Sequence, residues 1–167
     1  MGVKWITEKP DEFFQRKKDE LHKKVIPRIA KDVAEAFKDE IRRRTPRGVR
    51  WSPPGAPFAI AVPTSTLHDS IDKDRKGKWV TGHYRWVVST NVEYAPYVEY
   101  GTRPHLIAPR NPNSSLVYYM GGNETGAKVV HHPGTRPVLM FSRSVPAMRP
   151  RIGYIASPHM NAWARTS

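Results

Sequence analysis

The side chains that could perform acid–base or metal chemistry are seven histidines and two glutamates, Glu93 and Glu99, that lie six residues apart. A metalloprotease-type helix places two histidines four residues apart with a glutamate between them, and this spacing does not occur here. The adjacent pair His131-His132 would point to opposite faces of a strand. We therefore interpret the histidines as turn and surface residues and expect no metal and no cofactor. The histidines are His22, His68, His83, His105, His131, His132 and His159.

Nucleophilic chemistry has little support in the sequence. There is no cysteine, which excludes thiol catalysis, cysteine-ligated zinc and iron–sulfur clusters. There is also no Gly-x-Ser-x-Gly elbow and no glycine-rich phosphate loop with a lysine. Glu93 and Glu99 flank a tyrosine-rich turn and could pair as two acids. We expect a protein that is not an enzyme. The alternative is a basic nucleic-acid-binding protein, or a nuclease acting through these two glutamates.

The positive charge is the second feature with a chemical meaning. The 167 residues carry a net charge of +13, and a strongly basic chain favours an anionic partner such as nucleic acid. Residues 11–50 and 101–167 carry the excess, whereas residues 51–100 are neutral. The densest cluster has no helix-turn-helix, zinc-finger or basic-zipper pattern around it, so we expect sequence-independent contact with DNA phosphates. Its members are Arg42, Arg43, Arg44, Arg47 and Arg50. A solvated helix end stabilised by the helix dipole is an equally good interpretation.

The elements that must position these residues begin with a helix over residues 11–44. Apolar residues recur there at steps of three and four, which predicts one buried stripe. Pro27 lies inside the pattern and must kink or split the helix near residues 24–26. Aromatic and β-branched residues at 79–82 and 84–92 predict strands. The stripe comprises Leu21, Val25, Ile26, Ile29, Ala30, Val33, Ala34, Phe37 and Ile41.

An extended excursion follows over residues 103–136, which we call the arm. Its strand candidates are residues 106–107, 115–119 and 128–131, with a glycine-rich turn at 121–126. An apolar segment from residue 138 predicts a short helix that Pro146 interrupts. The fold class is therefore α+β. A long N-terminal amphipathic helix, kinked at Pro27, packs on a small antiparallel β-sheet, with a β-hairpin excursion and a short C-terminal helix.

One stretch is specific enough to resemble a known family. The sequence Val92-Glu93-Tyr94-Ala95-Pro96-Tyr97-Val98-Glu99-Tyr100-Gly101-Thr102 closely resembles the Tyr-Ala-x-Tyr-Val-Glu-aromatic-Gly-Thr pattern of the tail-completion and neck proteins of long-tailed phages. This family is also called minor tail or head–tail joining proteins. The resemblance implies that the assembly residues are Tyr94, Ala95, Tyr97, Val98, Glu99, Tyr100, Gly101 and Thr102, together with His132, Pro133, Gly134 and Thr135 of a second motif.

Three further elements occur in the order that this family shows. They are Arg44-Thr45-Pro46 after the basic helix, Thr66-Leu67-His68-Asp69-Ser70-Ile71, and His132-Pro133-Gly134-Thr135 before the last helix. The resemblance covers residues 11–148. The sequence departs from the pattern by lacking a glycine after Thr66 and by carrying a proline-rich insert at residues 49–63.

The resemblance implies a structural role in the virion. The implied protein forms or joins a ring at the head–tail junction or tail end, is needed for tail completion and head–tail attachment, and lets the genome pass through. The implied partners are copies of itself, six or twelve in number, and other neck and tail proteins such as an adaptor or stopper, a tail terminator and the tail tube. Genomic DNA is an implied non-specific partner, and no membrane is implied. Assembly is expected in the host cytoplasm, with the protein ending in the neck or tail of the virion.

The expected organisation is one domain. It comprises an N-terminal extension at residues 1–10, a single α+β domain at 11–148 and a C-terminal extension at 149–167. That last extension is too apolar for a plain tail, so we expect it to pack on a neighbouring subunit. Glu99 stands four residues before Arg103, which suggests an ion pair within the subunit or across a ring contact. Strand addition is the expected mode by which the arm reaches a neighbour.

Overall fold

The structure, a computed structural model, describes residues 9–46, 65–74, 76–120 and 123–166, and at 118–120 and 123–125 it describes the backbone only. It confirms the α+β class. The helices in chain order are α1 (Pro10–Glu20), α2 (Ile26–Arg44), α3 (Thr66–Ser70), α4 (Ala95–Tyr100) and α5 (Met140–Arg165). The strands are β1 (Asp72–Lys73), β2 (Lys78–Val80), β3 (His83–Arg85), β4 (Val88–Ser89), β5 (His105–Ile107), β6 (Leu116–Met120), β7 (Asn123–Ala127) and β8 (Val130–His132).

The interruption predicted at Pro27 is a π-helical turn. Residues Leu21–Val25 are π-helical and join α1 to α2. Proline lacks an amide hydrogen, and its ring collides with the carbonyl four residues earlier in a regular α-helix. In the π-helical turn just before Pro27, the hydrogen bonds span five residues in place of four. The Ile26 amide accordingly donates to the Leu21 carbonyl. The helical path thus continues to Arg44.

The strands form four two-stranded pairs among the described residues, where one small sheet was expected. The pairs are β1 with β4, β2 with β3, β5 with β8, and β6 with β7. The last three pairs are antiparallel. The arm is a hairpin whose base is β5–β8 and whose outer part is β6–β7. The strands predicted at 106–107 and 115–119 correspond to β5 and β6, but the return begins earlier than predicted, because β7 (Asn123–Ala127) takes up most of the segment expected to be a turn.

The described residues divide into two compact units. The first comprises residues 9–39, 73–74, 76–89 and 145–166. In this unit the π-helical turn contacts the β2–β3 hairpin. The His22 ring stacks on the Trp79 ring of β2, with centroids 5.2 Å apart. The Lys73 ammonium lies 3.3 Å from Glu35 and 5.0 Å from the centroid of the Trp86 ring.

The second unit comprises residues 40–46, 65–72, 90–120 and 123–144 and contains its own core. Ile41, Ile71 and Met140 are completely buried there. Thr45 follows the last residue of α2, and its hydroxyl donates to the Ile41 carbonyl at 2.8 Å. Thr45 is buried, and the same hydroxyl also contacts the Met140 sulfur at 3.3 Å. The expectation of one domain over residues 11–148 stays a prediction.

The C-terminal helix is much longer than expected. It runs for 26 residues although Pro146, Pro150 and Pro158 lie inside it. All three prolines are exposed, so solvent can hydrogen-bond the carbonyls that lack an amide donor. None of the described helices is long and apolar enough to cross a membrane.

The last turns of α5 pack within the first unit. The His159 imidazole lies 2.8 Å from the Asp32 carboxylate, and the Lys17 ammonium stands 5.5 Å from the centroid of the Trp163 ring. Lys17 is almost fully buried. The segment 149–167, expected to pack on a neighbouring subunit, therefore has contacts inside its own chain. Whether it also contacts a neighbour stays a prediction.

Candidate functional site

The tyrosine-rich stretch forms a joint between α4 and the start of α5. At its centre lies Glu99, which is only 4 % exposed. One carboxylate oxygen accepts the Phe141 amide at 3.0 Å, and the other accepts the Ser142 amide at 2.9 Å and the Ser142 hydroxyl at 2.6 Å. The first amides of a helix lack partners inside the helix. Glu99 is therefore the N-terminal cap of α5, supplied from another element. The expected ion pair with Arg103 is not among the contacts of its carboxylate.

Two backbone hydrogen bonds strengthen this joint. The Val138 amide donates to the Val98 carbonyl at 3.0 Å, and the Leu139 amide donates to the Glu99 carbonyl at 3.1 Å. These carbonyls belong to the last turn of α4, where no helical donor follows. The segment before α5 thus completes α4, while α4 caps α5.

The charge of Glu99 is maintained by this joint. Burial raises its pKa, but the hydrogen bonds from Ser142 and from the amides of Phe141, Ser142 and Met140 together lower the pKa below its ordinary value. Hydrogen bonds to a carboxylate favour its ionised form. The residue that the alternative function would use as an acid is therefore a buried structural anion.

A second contact pairs two Gly-Thr dipeptides, and we call it the clasp. Thr102 and Thr135 exchange two backbone hydrogen bonds, both 3.1 Å long, and their hydroxyls lie 3.2 Å apart. A Cβ on Gly101 would stand 2.3 Å from the Thr135 carbonyl oxygen, and one on Gly134 would stand 2.3 Å from the Thr102 carbonyl oxygen. The two glycines let the backbones approach where a side chain would block them. The clasp brings together the two sequence motifs that lie 33 residues apart.

The tyrosines of the motif divide into one inward and two outward residues. The Tyr94 hydroxyl is buried without a hydrogen-bond partner in the part of the chain that the structure describes. Ala95 is buried and Val98 is half-buried. Tyr97 and Tyr100 are 62 % and 70 % exposed. Because they are three residues apart on α4, their side chains share one face.

The second motif lies at the base of the arm. His132 stacks on His105 across the β5–β8 pair, with ring centroids 4.9 Å apart. Pro133 lines an open cleft of about 360 Å³ there with both histidines. The other residues around this cleft are Pro104, Leu106 and His131.

The described arginines of the basic cluster have partners inside the chain. The Arg42 guanidinium donates to the carbonyls of Ile71 at 2.9 Å and Asp69 at 3.2 Å, at the end of α3. Arg43 and Arg44 both bond to Glu40, at 2.7 and 2.6 Å. The Arg43 side chain is still 67 % exposed. Arg47 and Arg50 lie outside the described residues, and DNA contact by this cluster stays a prediction.

The Arg43 side chain lowers the pKa of Glu40 by hydrogen bonding. Burial opposes this effect, and Arg44 reinforces it, so the net pKa lies below the ordinary value. Glu40 is buried. The two arginines therefore neutralise a buried carboxylate at the end of α2, in addition to any role on the surface.

Within the described ranges, no group of three or more His, Asp or Glu side chains is arranged to hold a metal ion. Sequence reasoning missed that Glu99 caps α5. A signal was available, because the residue before α5 is Leu139, which has no side-chain acceptor for the free amides. The partner could not be found from spacing alone, because it lies 42 residues from Phe141.

The fold and the site together define an α+β protein whose tyrosine-rich motif is a structural joint that presents two exposed tyrosines. Residues 9–101, more than half of the chain, match the model of the family described as "Bacteriophage HK97-gp10, putative tail-component". The chain belongs to this family of phage tail components, which confirms the resemblance seen in the sequence. No match was found among curated proteins or among solved structures.

Proposed function

We propose that the chain is a structural, non-enzymatic virion protein that forms or joins an oligomeric ring at the head–tail junction or at the tail end of a phage. In that place it completes the tail and supports attachment of tail to head, while the genome passes through the ring. Its partners are further copies of itself and adjoining neck and tail proteins. Membership in a family of phage tail components supports the virion role.

The observation that carries the proposal is the pair of exposed tyrosines on an anchored helix. Tyr97 and Tyr100 lie on α4, whose end is held by the backbone bonds from residues 138–139 and by the carboxylate of Glu99. Tyrosine is enriched in protein interfaces because a rigid ring buries much area at little entropic cost. A fixed backbone lowers that cost further. The joint therefore supports presenting these rings to another subunit.

The arm supplies a second contact surface. Leu106 and Val117 are 61 % and 59 % exposed, and Ile107 and Val129 are also exposed. Among the described residues, each of the two sheets of the arm, β5–β8 and β6–β7, has two strands, so the backbone groups on their outer edges could pair with a further strand. A two-stranded ribbon is only marginally stable alone. Strand addition from a neighbouring subunit would complete it and cover its apolar residues.

The contacts of Glu99 weigh against the nuclease alternative. A catalytic acid must reach its substrate or metal, but both oxygens of Glu99 accept hydrogen bonds from α5. Glu93, the other candidate acid, is exposed. The purified chain is therefore expected not to cleave DNA in Mg²⁺. Cleavage that is lost in Glu99→Ala would overturn the structural role.

The test of the assembly role is the double variant Tyr97→Ala/Tyr100→Ala. We expect it to fold as the natural chain does but to reduce the fraction of tailed particles in electron micrographs at least tenfold. Tyr154→Ala is the matched control, because Tyr154 is 81 % exposed on α5, outside the motif. Unchanged tailed particles and unchanged oligomers in light scattering for the double variant would contradict the proposed contact.

A further inference from the structure

The cross-strand histidine pair at the base of the arm has a defined arrangement of protons. His105 and His132 are directly opposite in the antiparallel β5–β8 pair. The Gly134 amide donates to Nδ1 of His132 at 3.0 Å, so this nitrogen must be unprotonated. Nδ1 of His105 lies 2.9 Å from the Arg103 carbonyl, so this nitrogen must donate. Neutral His132 thus carries its hydrogen on Nε2.

This tautomer argues against a metal ion shared by the two rings. A metal on Nε2 of His132 would need the hydrogen on Nδ1. That hydrogen would face the Gly134 amide donor and remove the hydrogen bond that the structure shows. The pair is therefore better suited to respond to protons.

The surroundings of the pair disfavour a positive charge. Glu124 is the single acidic residue in the segment 101–167, which contains seven arginines and one lysine. The charged or titratable groups nearest in the chain are Arg103, two residues before His105, and Lys128, His131 and Arg136, all within four residues of His132. His105 is opposite His132 on β5. Burial, and then the positive charge of a protonated His105, lower the pKa of His132 below its ordinary value.

We propose that His132 is a proton-operated latch that holds the base of the arm closed when neutral and releases it when protonated. Protonation places a hydrogen on Nδ1, and the Gly134 amide then loses its acceptor. It also places a positive charge against His105. Gly134 and Thr135 form one half of the clasp, so the loosening reaches Thr102. This inference goes beyond the proposed function. It rests on the proposed function only for the identity of the partner that the arm contacts.

The sign of the pH dependence follows from the lowered pKa. The closed arm gains its full stabilisation above about pH 6.5, the ordinary value for a histidine. This stabilisation is lost as the pH falls from there through the lower value of the latched state. Each unit by which the pKa is lowered corresponds to about a tenfold change in the closing equilibrium.

The test uses the isolated full-length chain and two linked measurements. The first is an NMR titration of the His132 ring in the native chain and in urea, where we expect the lower midpoint in the native chain. The second is amide exchange of Thr102, Gly134 and Thr135 near pH 5 and pH 7.5, expressed as protection factors. We expect protection in acid to fall by the factor that the NMR midpoints give. Equal midpoints, or protection that does not change with pH, would overturn the latch.

His132→Asn separates the latch from a general acid effect. An asparagine oxygen can accept the amide two residues later but does not titrate, so protection at the clasp should become independent of pH. His131→Asn is the matched control, because the neighbouring His131 is exposed, and it should keep the pH dependence. A pH response that persists in His132→Asn would refute the assignment. None of these measurements requires a ring, so failure of the latch is distinct from failure of the proposed function.

Discussion

At the scale of single residues, the acid in the tyrosine-rich motif, Glu99, has a structural role in capping α5. Glu99 is buried and ionised because three α5 donors surround its oxygens. A buried charge without partners would be very unfavourable. The motif Tyr-Val-Glu-Tyr-Gly-Thr thus combines two functions in consecutive residues. Glu99 and Gly101 hold the backbone, and the exposed Tyr97 and Tyr100 are available for contact.

Replacing this carboxylate tests the joint directly. Glu99→Gln keeps the shape but puts an NH₂ group opposite an amide donor, so we expect the free energy of unfolding to fall by about 2 kcal/mol. Since the pKa of Glu99 is lowered, its stabilisation is present above about pH 4.3 and is lost as the pH falls through the native value. The variant should therefore lose less stability in acid than the natural chain. Urea unfolding at pH 7 and pH 3.5 measures both effects.

Glu93→Gln is the control for this measurement. Glu93 is exposed, and an exposed substitution is expected to change stability by no more than about 0.5 kcal/mol. If Glu99→Gln behaved like Glu93→Gln at both pH values, Glu99 would not cap α5 in solution.

At the scale of elements, the clasp determines how α4 continues into the arm. Gly101 has φ 73° and ψ −178°, a region that is essentially limited to glycine. Gly101→Ala would add this backbone strain to a collision with the Thr135 carbonyl. We expect it to lower the free energy of unfolding by about 3 kcal/mol or more. Denaturant unfolding checks the magnitude.

Gly82→Ala isolates the contribution of the close approach. Gly82 also has a positive φ, of 78°, but an added Cβ would meet no atom of the described residues within 4 Å. Its cost should be that of the backbone alone, about 1 kcal/mol. Equal losses for the two variants would mean that the Gly101–Thr135 approach does not contribute to stability.

The elements that sequence patterns predicted are those determined by local rules. The stripe of apolar residues from Leu21 to Ile41 predicted the first helix, and Pro27 predicted its interruption. Turn residues predicted the arm. The length of α5 was predicted too short because Pro146 is a strong helix-breaking signal. The sequence does not reveal that Pro146 lies on the solvent-exposed face of α5. The clasp and the Glu99 cap join residues 33 to 43 apart, and no local rule sets such pairings.

At the scale of the whole molecule, the basic residues behind the net charge of +13 have different environments. Part of it is internal, because Arg43 and Arg44 neutralise buried Glu40, and Arg42 binds carbonyls at the end of α3. Residues 101–167 contribute a further excess of positive charge, since Glu124 is the single acid there beside seven arginines and one lysine. A basic protein through which a genome passes would contact phosphates without reading bases. An experiment therefore has to distinguish the arginines that stabilise the fold from those that contact DNA.

Arg42 and Arg43 allow this division, because they are neighbours with opposite environments. Arg43 is two-thirds exposed, so Arg43→Ala should weaken binding to duplex DNA for every sequence and reduce the slope of log K against log salt by about 1. Arg42 donates to two backbone carbonyls, so Arg42→Ala should instead lower the free energy of unfolding by about 2 kcal/mol, because those acceptors lose a charged donor. Filter binding at several salt concentrations and urea unfolding distinguish the two. If Arg43→Ala left the salt slope unchanged, this arginine would belong to the structural part of the charge, and DNA contact would have to come from Arg47 and Arg50 or from the arginines of the C-terminal third.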